Sequence, residues 1–287
     1  MYRKTITVFL ADGEPTGSRI VEVSNWTGKA YIIPRSKIKT ILEEPENAHD
    51  LTSQSVYILI GKCDKGEETI YIGEAEDCMN RLLQHNSNQD FWNTAIAILS
   101  KDDNLNKAHV KFLESQLISK ALNEKRATVK NSTTPTPPKL SRTDKAMLEE
   151  FQQNIELMLS SLGYRFFEPL QQKESKRMEF VCESKFASAI GTISNEGFVI
   201  FNGSVLRGNV RGNLGEADRL YWNHLIETGV IVLNEDKSTG TLNQDILISS
   251  PSRAATLVLG RGANGWITWK TKDGETLDAI YRQGSSK

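Results

Sequence analysis

Five side chains between positions 57 and 114 have the types and spacing for chemistry on a phosphodiester. Tyr57 lies in the run Ser55-Val56-Tyr57-Ile58-Leu59-Ile60, and Tyr71 opens Tyr71-Ile72-Gly73-Glu74. Arg81 follows Tyr71 by ten positions, and His85 follows Arg81 by four. Glu114 stands among Val110, Leu113, Leu117, Ile118 and Ala121, where a leucine would be expected. Two tyrosines, an arginine, a histidine and a carboxylate suit proton transfer and anion binding better than they suit a passive core.

The elements that must position these groups can be read locally. Val56 to Ile60 is a strand, Asp64-Lys65-Gly66 lies in a charged turn, and Thr69 to Ile72 returns, which makes a long-looped β-hairpin. Asp77 is a candidate N-cap for a helix of about ten residues. On that helix Met79, Leu82 and Leu83 share one face, while Arg81 and His85 share another. Asn93 to Leu99 reads as a buried strand, and Asp102-Asp103-Asn104 as the cap of a helix from Leu105 to about Leu122. There the apolar arc encloses Glu114, and Ser115, Gln116 and Lys120 form the polar side. A carboxylate on a buried face is costly unless it is paired, hydrogen-bonded or metal-bound. A salt bridge to an arginine from another element is the structural alternative.

The surroundings read as flanking modules. Residues 3 to 9 alternate polar and apolar, Arg19 to Val23 and Ala30 to Ile33 are further strands, and Pro34 opens a short helix. Trp26 caps this small core in preference to stacking on a base. Glu43 to Ser53 is a connector. Lys130 to Pro138, with three prolines, is extended. A helix follows from Arg142 to about Leu162. Beyond it, Glu179 to Cys182, Ala187 to Ile193 and Phe198 to Phe201 form a meander. Helices are expected at Glu216 to Glu227 and Ser250 to Gly260, with a strand at Trp266 to Trp269 and a last short helix at Thr276 to Tyr281. Gly260 to Gly265 follows a helix and precedes a strand, so it is a helix stop and turn, not a dinucleotide fingerprint.

Composition narrows the classes. The 287 residues carry 38% hydrophobic and 25% charged side chains, as soluble globular chains do. No apolar run reaches membrane-spanning length, and none at the N-terminus looks like a signal core. Three cysteines without CxxC or zinc-ligand spacing point to a reducing, cytoplasmic setting. The net charge of −1 offers no general attraction for polyanions. From Lys120 to Lys145, however, seven basic residues face only Glu124 and Asp144, a local net of +5 or simply a solvated connector.

With these residues in view, positions 55 to 131 resemble the GIY-YIG nuclease family. Ser55-Val56-Tyr57 stands at the first motif, Tyr71-Ile72-Gly73 at the second, and Arg81 and His85 at the family's offsets. Glu114 matches its metal-binding glutamate and Asn131 its late asparagine. The first motif departs from the pattern, with Ser55 for glycine and Val56 for isoleucine, but keeps the tyrosine. The resemblance extends to a bacterial subgroup that carries a C-terminal domain of unknown function, here about residues 230 to 282.

The resemblance implies an α+β protein. A central GIY-YIG-like domain (53–125), an antiparallel three-stranded sheet flanked by helices, would follow a β-rich module (1–52). A Pro-rich linker (126–141), a helix and β-meander region (142–229) and a C-terminal α+β domain (230–287) would come after it. It also implies a metal-dependent DNA endonuclease, acting in restriction, repair or defence on duplex or single-stranded DNA, alone or as a homo-oligomer. Its catalytic residues would be Tyr57, Tyr71, Arg81, His85, Glu114 and Asn131. Glu114 would hold Mg²⁺ or Mn²⁺, Arg81 would clamp the phosphate, and Tyr57 would take the proton of the attacking water, directly or through Tyr71. His85 would share or relay that proton. Positive charge near Tyr57 is expected to favour its phenolate. A non-catalytic DNA-binding or assembly protein keeping the fold is the alternative, and an RNA-directed or protein-binding role for the C-terminal half a third reading.

Overall fold

The computed structural model describes residues 3–63, 66–169, 178–208 and 214–283, so the turn residues Asp64 and Lys65 lie outside the described set. The chain divides into two compact units, Met1–Glu168 and Pro169–Lys287. Each combines helices with a multistranded sheet, and the protein is of the mixed α+β class. Among the described residues no helix is long and apolar enough to cross a membrane.

The first unit opens with β1 (Ile6–Leu10), β2 (Arg19–Val23), β3 (Gly28–Pro34) and α1 (Pro45–Leu51), the last lying in a stretch expected to be a plain connector. Pro45 stands in its first turn, where the missing N–H costs nothing. Then come β4 (Ser55–Lys62), β5 (Glu68–Ala75), α2 (Cys78–Asn88), β6 (Trp92–Ser100) and α3 (Lys107–Glu124). The short β7 (Thr128–Val129) and α4 (Arg142–Ser161) close the unit.

All seven strands form one sheet, in the order β1-β2-β3-β6-β4-β5-β7. The three-stranded sheet expected over residues 53–125 is therefore its central part, and the strands expected as a separate module at 1–52 continue it. β3 pairs with β6 from Gly28↔Ser100 to Pro34↔Thr94. The residues of β3 suit an inner strand, though they do not name its partner. Ala30, Tyr31, Ile32 and Ile33 are apolar in succession and all buried, the signature of a strand covered on both faces. α4 likewise belongs to this unit, with Phe151, Ile155, Met158 and Leu159 in its core.

The sheet separates two apolar layers. Val56, Ile58 and Ile60 of β4 join Ile70 and Ile72 of β5 in the layer shared with α3 and α4. Tyr57 and Leu59 point the other way, into a layer with Leu51 of α1 and Cys78 and Leu82 of α2. Trp26 is buried against Phe151, with ring centroids 4.9 Å apart, so it is a core residue. The cap of α3 is Asn106, not residues 102 to 104. Its side chain accepts from the His109 N–H while the His109 ring reaches back to the Asn106 backbone. Because α3 is covered by the sheet and by α4, its buried set is wide and includes Ser115, which the helical wheel placed on the polar side.

The basic run after α3 is partly neutralised. Lys120 pairs with Glu156 at 3.1 Å, and Lys145 with Glu149 at 3.8 Å. The extended segment is also anchored, since β7 lies parallel to β5 and the Lys130 N–H donates to the Ile70 carbonyl.

The second unit contains β8 (Phe180–Ser184), β9 (Ala187–Ser194), β10 (Gly197–Ile200), β11 (Val205–Arg207), α5 (Glu216–Glu227), β12 (Ile231–Leu233), β13 (Thr239–Leu242) and β14 (Ile246–Ile248). After these come α6 (Pro251–Leu259) and the one-turn α7 (Gly265–Thr268). β9 is the hub and pairs with β8, β10 and β11. α6 covers one face of the sheet with Ala254, Ala255 and Val258. The expected strand at Trp266 to Trp269 is helical instead. Asn264 caps it by accepting from the Trp266 N–H, and the Trp269 indole is buried with its N–H on the Pro251 carbonyl. The last helix expected at Thr276 to Tyr281 is a π-helical turn over Ala279–Gln283.

Candidate active site

Tyr57 sits on β4 directly opposite Gly73 of β5. That pairing explains the glycine. A Cβ at residue 73 would fall 2.3 Å from the Tyr57 hydroxyl oxygen and 2.4 Å from Cζ, so the phenol lies where a side chain would otherwise stand. α2 brings two more groups to this ring. Asp77 caps the helix by accepting from the Asn80 N–H at 3.0 Å, and one helical turn then separates Arg81 from His85.

The Tyr57 hydroxyl lies 2.8 Å from His85 Nε2 and accepts a hydrogen bond from Arg81 Nε at 3.2 Å. Tyr71 completes the group, with its ring centroid 6.2 Å from that of Tyr57 and 5.2 Å from that of His85. Arg81 has only hydrogens to give. The pattern is satisfied when Tyr57 accepts from Arg81 and donates to a neutral imidazole, an assignment made from the hydrogen-bond network.

The electrostatics agree. Burial, reinforced by the Arg81 charge, lowers the His85 pKa to about 4, and the residue is only 5% exposed. Tyr57 is fully buried. Burial and the neighbouring Tyr71 raise its pKa above the ordinary phenol value, and Arg81 only partly opposes them. The expected phenolate is therefore replaced by a neutral phenol: desolvation outweighs the guanidinium.

Glu114 is half-buried on α3, on the other side of the sheet. Burial raises its pKa, and the Glu74 carboxylate adds to that. The Glu74 backbone N–H, Lys111 and Arg81 pull in the opposite direction. Glu74 carries no signal by itself in the sequence. Strand alternation could have found it, because it shares a face with Ile70 and Ile72 and so looks toward α3.

Asn131 also works at the margin of β5. Its side-chain carbonyl accepts from the Ile72 N–H at 3.0 Å, and its amide donates to the Ile72 carbonyl at 2.7 Å. The side chain thus imitates one more residue of strand beyond β7. The outward groups of β5 are taken in turn by Lys130, Asn131 and Glu114. Tyr57, Tyr71, Arg81 and His85 form one contact group, Glu114 joins it through the charge of Arg81, and the Asn131 amide is spent on the backbone.

Residues 180–281 match the model of a domain of unknown function, DUF4357. The matched stretch begins well before residue 230, where such a domain was expected, and takes in every strand among the described residues of the second unit. No curated protein and no solved structure matches the chain.

Proposed function

We propose that the first unit is a GIY-YIG-type, metal-dependent endonuclease that hydrolyses DNA phosphodiester bonds. The observation that carries this reading is the Tyr57 hydroxyl held between Arg81 and His85, with Arg81 also acting on Glu114. Tyr57 is buried whereas Tyr71 is half-buried, so the proton of an attacking water passes first to Tyr71. Tyr71 in turn gives its own proton to Tyr57, and Tyr57 passes its proton to neutral His85. Water oxygen forms the new bond to phosphorus, and the departing oxygen takes a proton from solvent. Arg81, whose Nε donates to Tyr57 and whose Nη1 donates to Gln84 Oε1, clamps a phosphoryl oxygen with its remaining N–H groups.

The residues fit a hydrated divalent ion. A cation beside Glu114 relieves both its burial and its repulsion from Glu74. Among the described residues no three His, Cys, Asp or Glu side chains cluster as a metal cage. A Mg²⁺ or Mn²⁺ ion here would keep most of its waters, as Mg²⁺ commonly does. When bound, such an ion neutralises charge on the phosphoryl and departing oxygens. One site of this kind cuts one strand, so a double-strand break requires two copies or two successive nicks.

Supercoiled plasmid with Mg²⁺ or EDTA tests the reading. Wild type nicks only with the metal, and Glu114→Gln and Arg81→Ala lose nicking. In EDTA, Glu114→Gln melts no lower than wild type, because it removes a half-buried charge facing Glu74. Mg²⁺ raises the wild-type melting temperature and leaves that of Glu114→Gln unchanged. A wild type that leaves plasmid intact, or a Glu114→Gln variant that nicks at full rate, overturns the proposal. Binding without cleavage selects the non-catalytic alternative.

A further inference from the structure

We infer that the second unit grips single-stranded nucleic acid at the tip of its β8–β9 hairpin, with Phe186 as a stacking platform and Lys185 and Arg207 as phosphate contacts. This rests on the first unit acting on nucleic acid and names the part of the chain that holds the strand.

Lys185 and Phe186 form the two-residue loop between β8 and β9. Neither residue has a positive φ, so the turn makes no special demand on residue type. The turn therefore gives no reason for a phenylalanine here, and the residue is 39% exposed. Arg207 reaches it from β11. The pair Val205↔Ser188 sets the register, and two residues further on Arg207 comes level with Phe186. The guanidinium carbon and the Lys185 ammonium each lie 5.3 Å from the Phe186 ring centroid.

Among the described residues, some cations of the unit are in ion pairs and others, such as Arg219, Lys237, Arg261 and Lys270, are not; Lys185 and Arg207 are set apart by sharing one exposed ring. Arg253 pairs with Asp218, Arg282 with Asp278 and Lys272 with Glu179. Among the described residues, neither Lys185 nor Arg207 is in an ion pair. Two uncommitted cations on one exposed aromatic ring match a strand that offers phosphates and unstacked bases together. The sheet face that continues from the tip carries exposed Ser188, Ile190 and Thr241, with half-buried Val205 between them and Glu183 as a carboxylate across from Ser188. A largely uncharged face of this kind takes splayed bases, whereas a duplex keeps its base faces stacked.

Fluorescence anisotropy with a labelled twelve-nucleotide oligothymidine, in EDTA, tests this on the full chain. Phe186→Ala should raise the dissociation constant about 10-fold with little change in salt dependence. The double variant Lys185→Gln/Arg207→Gln should weaken binding and reduce the salt slope by about 0.7 for each phosphate it no longer neutralises. Phe186→Tyr, which keeps the ring, should bind like wild type. Circular dichroism checks that each variant is folded. Wild-type affinity in both Phe186→Ala and the double variant, or no binding by the wild-type chain, overturns the inference, and a hairpin that instead captures a protein would leave oligothymidine binding unchanged. Glu114→Gln separates the two readings. If it binds normally but no form of the protein cuts, the nuclease reading fails alone. If wild type cuts and the hairpin variants bind and cut as it does, the hairpin reading fails alone.

Discussion

Gly73→Ala tests how the tyrosine pocket is built, independently of any reaction. Gly73 is not among the glycines with positive φ, so alanine fits its backbone and only the new methyl matters. The methyl would lie 2.3 Å from the Tyr57 hydroxyl oxygen, whereas ordinary contact begins at 3.4 Å. The phenol must therefore retreat by about 1 Å. It cannot simply swing outward, because Tyr57 is fully buried and its hydroxyl is held by His85 and Arg81. Overpacking of this kind costs about 1–3 kcal/mol, which lowers the melting temperature of a domain this size by roughly 2–10 °C. Loss of the Tyr57 bond and entry of water return the His85 pKa from about 4 toward 6.5, as read by a proton NMR titration of its ring. If the unit cleaves DNA, an ångström of misplacement costs about 100-fold in rate. Gly262→Ala, where a Cβ meets nothing within 4 Å, is the control and should leave all three readouts unchanged. A Gly73→Ala protein that melts with wild type and keeps its His85 titration would refute the packing argument.

Two further outcomes follow from neighbouring groups. The unfolded chain protonates His85 below about 6.5 and the folded chain only below about 4, so the unfolded state holds the extra proton between those values. Stability contributed by neutral His85 is thus complete above pH 6.5 and falls by up to about 3 kcal/mol as pH drops to 4; in urea unfolding, His85→Gln should lose less between pH 7 and 4.5 than wild type does. Asn131→Asp keeps the acceptor for the Ile72 N–H but turns a carboxylate oxygen on the Ile72 carbonyl, at a cost of about 1–3 kcal/mol at pH 7. Acid protonates that carboxyl and restores a donor, so the deficit should shrink toward pH 4, and a deficit independent of pH would contradict this role.

Much of the site was legible because its parts are local. The β4–β5 hairpin, the Asp77 cap and the one-turn spacing of Arg81 and His85 follow from short stretches of sequence. Glu114 was legible as a misfit, although its neighbour Ser115 turned out to be buried too, since a helix covered on two sides has no simple polar face. What local reading misses is pairing between distant segments. Nothing near β3 says that it will lie against β6, and β11, β12 and β13 are each four residues or fewer. Asn131 could be placed by its spacing, but its two bonds to Ile72 depend on β7 lying parallel to β5. The protonation state of Tyr57 was the reverse of expectation, because counting nearby charges leaves out the depth at which the hydroxyl is buried.

The side of the sheet beyond β5 has a consequence for assembly. An exposed strand margin is a template on which another chain can add itself. Here β7, the Asn131 amide and the Glu114 carboxylate occupy the successive backbone groups that an incoming strand would need. Glu114 adds a negative charge to that margin, as does Glu74. The sheet therefore cannot grow from this side without displacing residues of the candidate site. The opposite margin is β1, with exposed Val8, Phe9 and Leu10. Self-association by strand addition, and any aggregation of the same kind, is thus directed to the margin farther from the tyrosines.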